Sequence, residues 1–244
     1  MLAVIGGSGL TRLACLRDTH RRAVRTPYGE PSGPVTFGKI GNCEVVFLAR
    51  HGYGHTVPPH EVNYRANIWA LREVGVTEII SVASVGGIAG GFGPGVLAVP
   101  HQLIDYTWGR KQTFFDGGDK PVTHVDFTHP YTEQTRQLLL KAALSCGETV
   151  TDGGVYAATQ GPRLETAAEV NRLARDGADM IGMTGMPEAA LARELGLHYA
   201  ALAVVVNHAA GRGDSRDGIA FAQIEAILQA SMERVRAIVE GVCA

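Results

Sequence analysis

Short apolar runs that end on glycine recur along the chain, and this pattern constrains the fold more than any other feature. Residues 2–5 run into Gly6-Gly7-Ser8-Gly9, and residues 79–85 run into Gly86-Gly87. Further runs cover 45–49, 96–99, 154–158, 180–183 and 199–206. Several are apolar at every position, the pattern of strands covered on both faces. Glycine directly after such a strand permits positive φ angles and lets a ligand approach the backbone. Between the runs the apolar spacing changes to three and four. The segment 63–74 places Tyr64, Ile68 and Leu71 on one helical face; 133–145 and 166–175 are shorter helices. Thr166-x-x-Glu169 forms a capping-box pattern. The C-terminal segment spaces Phe221, Ile224, Leu228, Met232, Val235 and Val239 as a long amphipathic helix. Alternating strands and helices predict a mixed α/β sheet.

Composition fits that reading and removes several function classes. The 244 residues are 45% hydrophobic and 19% charged, enough to bury a sizeable core as one α/β domain. A formal charge of −2 gives no general attraction to nucleic acid or to an anionic membrane. The longest apolar run, 199–206, is far short of the roughly 20 residues that span a bilayer. The start lacks a basic n-region and a cleavage pattern, so no signal peptide is expected. Cys15, Cys43, Cys146 and Cys243 form no Cys-x-x-Cys pair, which disfavours a zinc ribbon or disulfide scaffold and suits a reducing cytoplasm. Residues 106–131 predict a long ordered loop, and loops of that length are often functional.

Chemistry-bearing residues cluster at the strand ends. Gly6-Gly7-Ser8-Gly9 lacks the third glycine of a dinucleotide fingerprint in register, and no acid follows a second strand about 20 residues on. Backbone N–H groups and the Ser8 hydroxyl suit a single phosphate better; a tight turn is the plain alternative. Arg50-His51-Gly52-Tyr53-Gly54-His55 offers a guanidinium fork and two imidazoles to an anion. A metal held by His51, His55 and His60 is the competing reading. The glycines around Tyr53 break the helix that such spacing would need, and no metal is expected. Ser84-Val85-Gly86-Gly87 ends a strand, where backbone amides can face a ligand. Glu165, after Gly161-Pro162-Arg163-Leu164, is either a first-turn acid favoured by the helix dipole or a carboxylate facing a ligand's N–H groups. Thr184 lies between a buried strand and a further helix, again suited to an anion, while Met183 beside it could be core filler. Asn207 ends an apolar strand and needs partners for both its oxygen and its NH₂.

The order of these motifs is distinctive. Ile5-Gly-Gly-Ser-Gly, Arg50-His-Gly-x-Gly-His, Pro59-His-x-Val-Asn-Tyr-Arg-Ala-Asn-Ile-Trp-Ala-Leu71, Gly161-Pro-Arg-Leu-Glu-Thr166 and Gly182-Met-Thr-Gly-Met-Pro-Glu188 together resemble the trimeric purine nucleoside phosphorylase and methylthioadenosine phosphorylase family. The resemblance runs from about residue 2 to 240. It implies one domain over residues 1–244, a three-layer α/β/α fold with a mixed, partly barrelled sheet, and a homotrimer. It implies phosphorolysis of a nucleoside by inorganic phosphate as co-substrate, with no metal or organic cofactor.

Carried over residue by residue, the resemblance sets phosphate against Ser8, Arg50, His51, the backbone at Ser84, and Thr184. The base lies against Leu164, Glu165 and Asn207, and the sugar lies near Met183. His124 is expected in a neighbouring subunit's 5′ pocket. His51, Glu165 and Asn207 are the expected catalytic groups, with the Arg50 cation offsetting the cost of taking phosphate out of water.

One departure is informative. Members acting on 6-aminopurines resemble one another in carrying Asp where this chain has Asn207, with a second Asp two residues on. This chain reads Val206-Asn207-His208-Ala209. A neutral amide donates to O6 and N7 of a 6-oxopurine while Glu165 accepts from N1–H; adenine leaves groups mismatched at about 1–3 kcal/mol each. The expectation is a 6-oxopurine nucleoside. The character of residues 63–71, like the methylthioadenosine branch, makes 5′-methylthioinosine the first candidate. Inosine or guanosine comes second and methylthioadenosine third. A water-using nucleosidase and a non-catalytic nucleoside-binding protein are the readings from other classes.

Overall fold

A computed structural model describes residues 1–118 and 121–244. The strands are β1 (Leu2–Gly6), β2 (Arg17–Arg22), β3 (Val35–Ile40), β4 (Cys43–Ala49), β5 (Glu78–Gly87), β6 (Leu97–Val99), β7 (Gln102–Asp105), β8 (Val150–Asp152), β9 (Val155–Ala158), β10 (Met180–Gly182) and β11 (His198–His208). The helices are α1 (Tyr64–Glu73), α2 (Glu133–Ser145), α3 (Ala167–Arg175), α4 (Gly185–Glu194) and α5 (Phe221–Val242). No helix among the described residues is long and apolar enough to cross a membrane.

β5 organises the sheet. It pairs in parallel with β1 through its first half, in parallel with β11 along nearly its whole length, and antiparallel with β10 at Gly86 and Gly87. One arm runs outward through β1, β4, β3 and β2. On the other side β11 pairs with β6, β6 with β8, β9 with β10, and β10 with β5 again. Only Gly153 and Gly154, both at positive φ, separate β8 from β9. The ladder therefore returns to its starting strand, which is the barrelled part of the expected sheet.

Alternation along the strands sorts side chains into two cores, one on each face. Ala201, Ala203 and Val205 of β11 join Ala3, Ile5, Ile79 and Val85, covered by Tyr64, Ile68 and Leu71 of α1 and by Ala189 and Leu191 of α4. Ala200, Leu202, Val204 and Val206 join Val4, Ile80 and Val82 on the opposite face, under α2 and α5. A smaller cluster seats Val170 and Leu173 of α3 against Ala157 and Ile181. Three layers result, as expected.

The expected strands and helices are present with ends shifted by a few residues. Four strands were not expected. β2 reads Arg-Asp-Thr-His-Arg-Arg and is exposed along its length, so it has no apolar face to reveal it. β3, β7 and β8 are short or of mixed polarity. Residues 106–131 carry no helix or strand among those described, in keeping with the predicted loop.

Candidate active site

A cavity of about 420 Å³ opens at the carboxyl ends of β1, β4, β10 and β11, beside the second half of β5. Ligands collect at such ends in open α/β sheets because loops and helix starts meet there. The cavity brings together Ser8, Arg50, His51, Ser84, Leu164, Glu165, Met183, Thr184 and Asn207, every predicted site residue except one. His124 is exposed in the long loop and does not line the cavity of its own chain.

Arg50 follows β4 and is fully buried. Its Nε and Nη2 donate to the two carboxylate oxygens of Glu188 at 2.7 and 2.8 Å. Nη2 also donates to Ser81 Oγ at 2.6 Å, and Nη1 to the Val82 carbonyl at 3.0 Å. Four of the five N–H groups are thus used inside the protein, leaving one Nη1 hydrogen. Gly7 keeps that corner open, since a Cβ there would stand 2.9 Å from Nη1 and 2.7 Å from the Val82 carbonyl oxygen. Glu188 accepts further bonds from Ser81 Oγ at 2.6 Å and Tyr199 Oη at 2.8 Å. Burial opposes both charges, yet each holds the other ionised: the Glu188 carboxyl lies below the usual carboxylate range and Arg50 is raised. The Arg50 charge is thus already balanced at contact distance, which reduces what it can contribute to offsetting the cost of taking phosphate out of water.

His51 is buried, and burial together with the Arg50 charge lowers its pKa to about 4, so it is neutral at pH 7. Its Nδ1 lies 2.8 Å from the Val57 carbonyl, which can only accept, so Nδ1 carries the proton. Nε2 is therefore an acceptor. Ser8 Oγ lies 3.5 Å from His55 Nε2, at the cavity mouth. Thr184 is buried at the N-cap of α4, where its hydroxyl makes no cap bond to the helix.

Further along the chain, α3 begins at Ala167 with Thr166 as N-cap and the predicted capping box in place. Glu165 therefore stands outside the helix, which removes the plain reading of a first-turn acid. Its Oε1 accepts from Thr159 Oγ1 at 2.6 Å, and burial outweighs that bond to push its carboxyl above the usual range. A bulge between Val205 and Asn207 shifts the β11 register against β5, a device that re-aims a side chain at a strand end. Asn207 Nδ2 donates to the His208 carbonyl at 2.6 Å, which fixes the amide and leaves its second N–H available.

Two contributions escaped the sequence reading. Glu188 stood in a quoted motif without a role. Phe221, Ile224 and Leu228 of α5 form an apolar cavity wall, although their spacing read only as a helix face.

The sequence profile of the phosphorylase superfamily matches residues 1–244. The chain belongs to the phosphorylase superfamily. Within that superfamily it is 57% identical over 216 residues to a protein of Xanthomonas campestris pv. campestris named "Probable S-methyl-5'-thioinosine phosphorylase", covering 88% of this chain and 86% of the relative. It is 43% identical over 239 residues to the 6-oxopurine nucleoside phosphorylase of Pyrococcus furiosus, covering 96% and 88% respectively. Methylthioadenosine phosphorylase from Schistosoma mansoni in complex with adenine superposes with a TM-score of 0.94 at 32% identity, covering 99% of this phosphorylase-superfamily chain and 90% of that structure.

Proposed function

We propose that the chain is a purine nucleoside phosphorylase acting on 6-oxopurine nucleosides, with 5′-methylthioinosine as its preferred substrate. The products are hypoxanthine and 5-methylthioribose 1-phosphate. The observation that carries this reading is one cavity lined by Glu165 and a fixed Asn207 amide together with the Ser8, Arg50 and Thr184 donors.

A phosphate oxygen attacks C1′ as the C1′–N9 bond breaks, and the bonding pair leaves with the purine. Positive charge grows on the sugar and is met by phosphate beneath it; negative charge grows on the base. The free Nδ2–H of Asn207 donates to N7, and ionised Glu165 accepts from N1–H. Neutral His51, with Nε2 as acceptor, takes a hydrogen bond from a hydroxyl of phosphate or sugar. No protein nucleophile, metal or organic cofactor enters. The α5 wall of Phe221, Ile224 and Leu228 favours a methylthio group, since an unpaired hydroxyl against it would lose its hydrogen bonds with water. The names of the Xanthomonas and Pyrococcus relatives support the 6-oxo preference. We place the enzyme in the cytoplasm, as a homotrimer of one-domain subunits in which His124 reaches a neighbour's sugar pocket.

The deciding experiment is chromatography of base released from methylthioinosine, inosine and methylthioadenosine, each with and without phosphate. Phosphate-dependent hypoxanthine release, fastest from methylthioinosine, is the expected result. Faster inosine turnover would remove the methylthio preference, and phosphate-independent release would make the protein a hydrolase. Asn207→Asp replaces the free N–H, a donor to the O6 and N7 edge, with a carboxylate oxygen that repels O6 of hypoxanthine and accepts from the 6-amino group of adenine. It should lower hypoxanthine release at least about tenfold relative to adenine release.

A further inference from the structure

Arg110 lies in the long 106–131 loop, outside every helix and strand, yet it is bonded to two segments that lead into the cavity lining. Its Nη1 donates to the carbonyls of Met183 at 2.8 Å and Met186 at 2.6 Å, and approaches Tyr64 Oη at 3.2 Å. Nη2 donates to the carbonyls of Thr159 at 3.2 Å and Gln160 at 2.8 Å. Nε donates to Gln160 Oε1 at 3.2 Å, an oxygen that also accepts from the Trp108 backbone N–H. Among the described residues none of these partners is a carboxylate, so the bonds serve geometry rather than charge neutralisation.

The four carbonyls belong to two segments that come off different strands. One, after β9, leads to Leu164 and Glu165; the other, after β10, contains Met183 and Thr184. The planar guanidinium, with five donors in a rigid fork, joins them in one plane; an ammonium with three donors cannot. We infer that Arg110 is a positioning residue, which fixes the spacing between the base-binding segment 159–165 and the sugar- and phosphate-facing segment 183–186. This rests on reading the cavity as a nucleoside and phosphate site. Arg110 itself touches no reacting atom.

The test pairs amide hydrogen exchange with kinetics on full-length Arg110→Ala and Arg110→Lys. In Arg110→Ala, exchange should quicken at 159–166 and 183–187 while α2 and α5 keep their protection. Its kcat/KM for methylthioinosine should fall on the order of 100-fold, the cost of displacing substrate-positioning groups by about an ångström. Millimolar guanidinium should restore part of the lost rate saturably in Arg110→Ala and leave the wild type unchanged; Arg110→Lys should fall between the two. Unchanged exchange in both segments would overturn the inference. Exchange rising evenly along the chain, with lost activity that guanidinium does not restore, would also overturn it by making the residue a general stabiliser. If the wild type releases no base from any nucleoside, the functional reading fails, and the exchange pattern still decides the clamp.

Discussion

Taking a guanidinium and a carboxylate out of water costs several kcal/mol for each ion, and a contact pair with every remaining donor and acceptor satisfied is the arrangement that tolerates it. Arg50 and Glu188 meet that condition through Ser81, Tyr199 and the Val82 carbonyl, save for one Nη1 hydrogen. Removing one partner strands the other. Glu188→Ala should lower unfolding stability by about 3–5 kcal/mol, more than the apolar double replacement Arg50→Met with Glu188→Leu, as read from urea midpoints. The double variant should fold and lose phosphate saturation. Arg50 was legible as a residue that lines the strand-end cavity because it directly follows an apolar strand, where a guanidinium suits an anion. Glu188 was not, because an acid in the first turn of a helix has an ordinary account in the helix dipole. Its partner lies 138 residues away, a distance that no spacing rule reaches. Asn207 was legible as a polar group needing partners, whereas the bulge that aims it depends on pairing between β5 and β11.

At the scale of elements, α3 gives the cleanest link from pattern to position. Thr166 Oγ1 accepts from the Glu169 N–H at 3.1 Å, and Glu169 Oε2 accepts from the Thr166 N–H at 2.8 Å. Arg163 adds a bidentate pair to the same carboxylate, and together these hold the Glu169 pKa down to about 2. Glu169 is exposed, so that shift adds little to folding. The cap itself matters more: Thr166→Ala should cost about 1 kcal/mol, a Tm fall of about 2–4 °C in a chain of this size, measurable by thermal denaturation. Elements with a one-sided or fully apolar pattern, such as β1, β5, β11 and α5, were readable because burial writes itself into residue spacing. β2 sits at the sheet edge with six exposed polar or charged side chains. Charge there blunts pairing with other chains, and the same charge erases the alternation that would announce a strand.

For the whole molecule, burial of His51 sets an acid limit. Its pKa is about 4 in the folded chain against 6.5 for a free imidazole. Between those values the unfolded chain binds the extra proton, so stability is full above pH 6.5 and declines as pH falls toward 4. The size is at most about 3–4 kcal/mol from a shift of this extent. Glu165 acts in the opposite sense, since acid relieves the cost of its buried charge. Urea midpoints measured from pH 7 to pH 4.5 should fall, and His51→Gln should flatten that decline; an equal slope in the variant would assign it to other groups.

The balanced Arg50–Glu188 pair has a consequence for how an anion arrives. A bare guanidinium projects its field over a Debye length, about 8 Å at physiological salt, and gathers anions from solution. A pair cancelled at 2.7 Å projects almost none and offers an anion only hydrogen bonds, felt on contact. On the proposed role of this corner, capture of phosphate depends on shape and donor placement, and its rate should barely change with ionic strength.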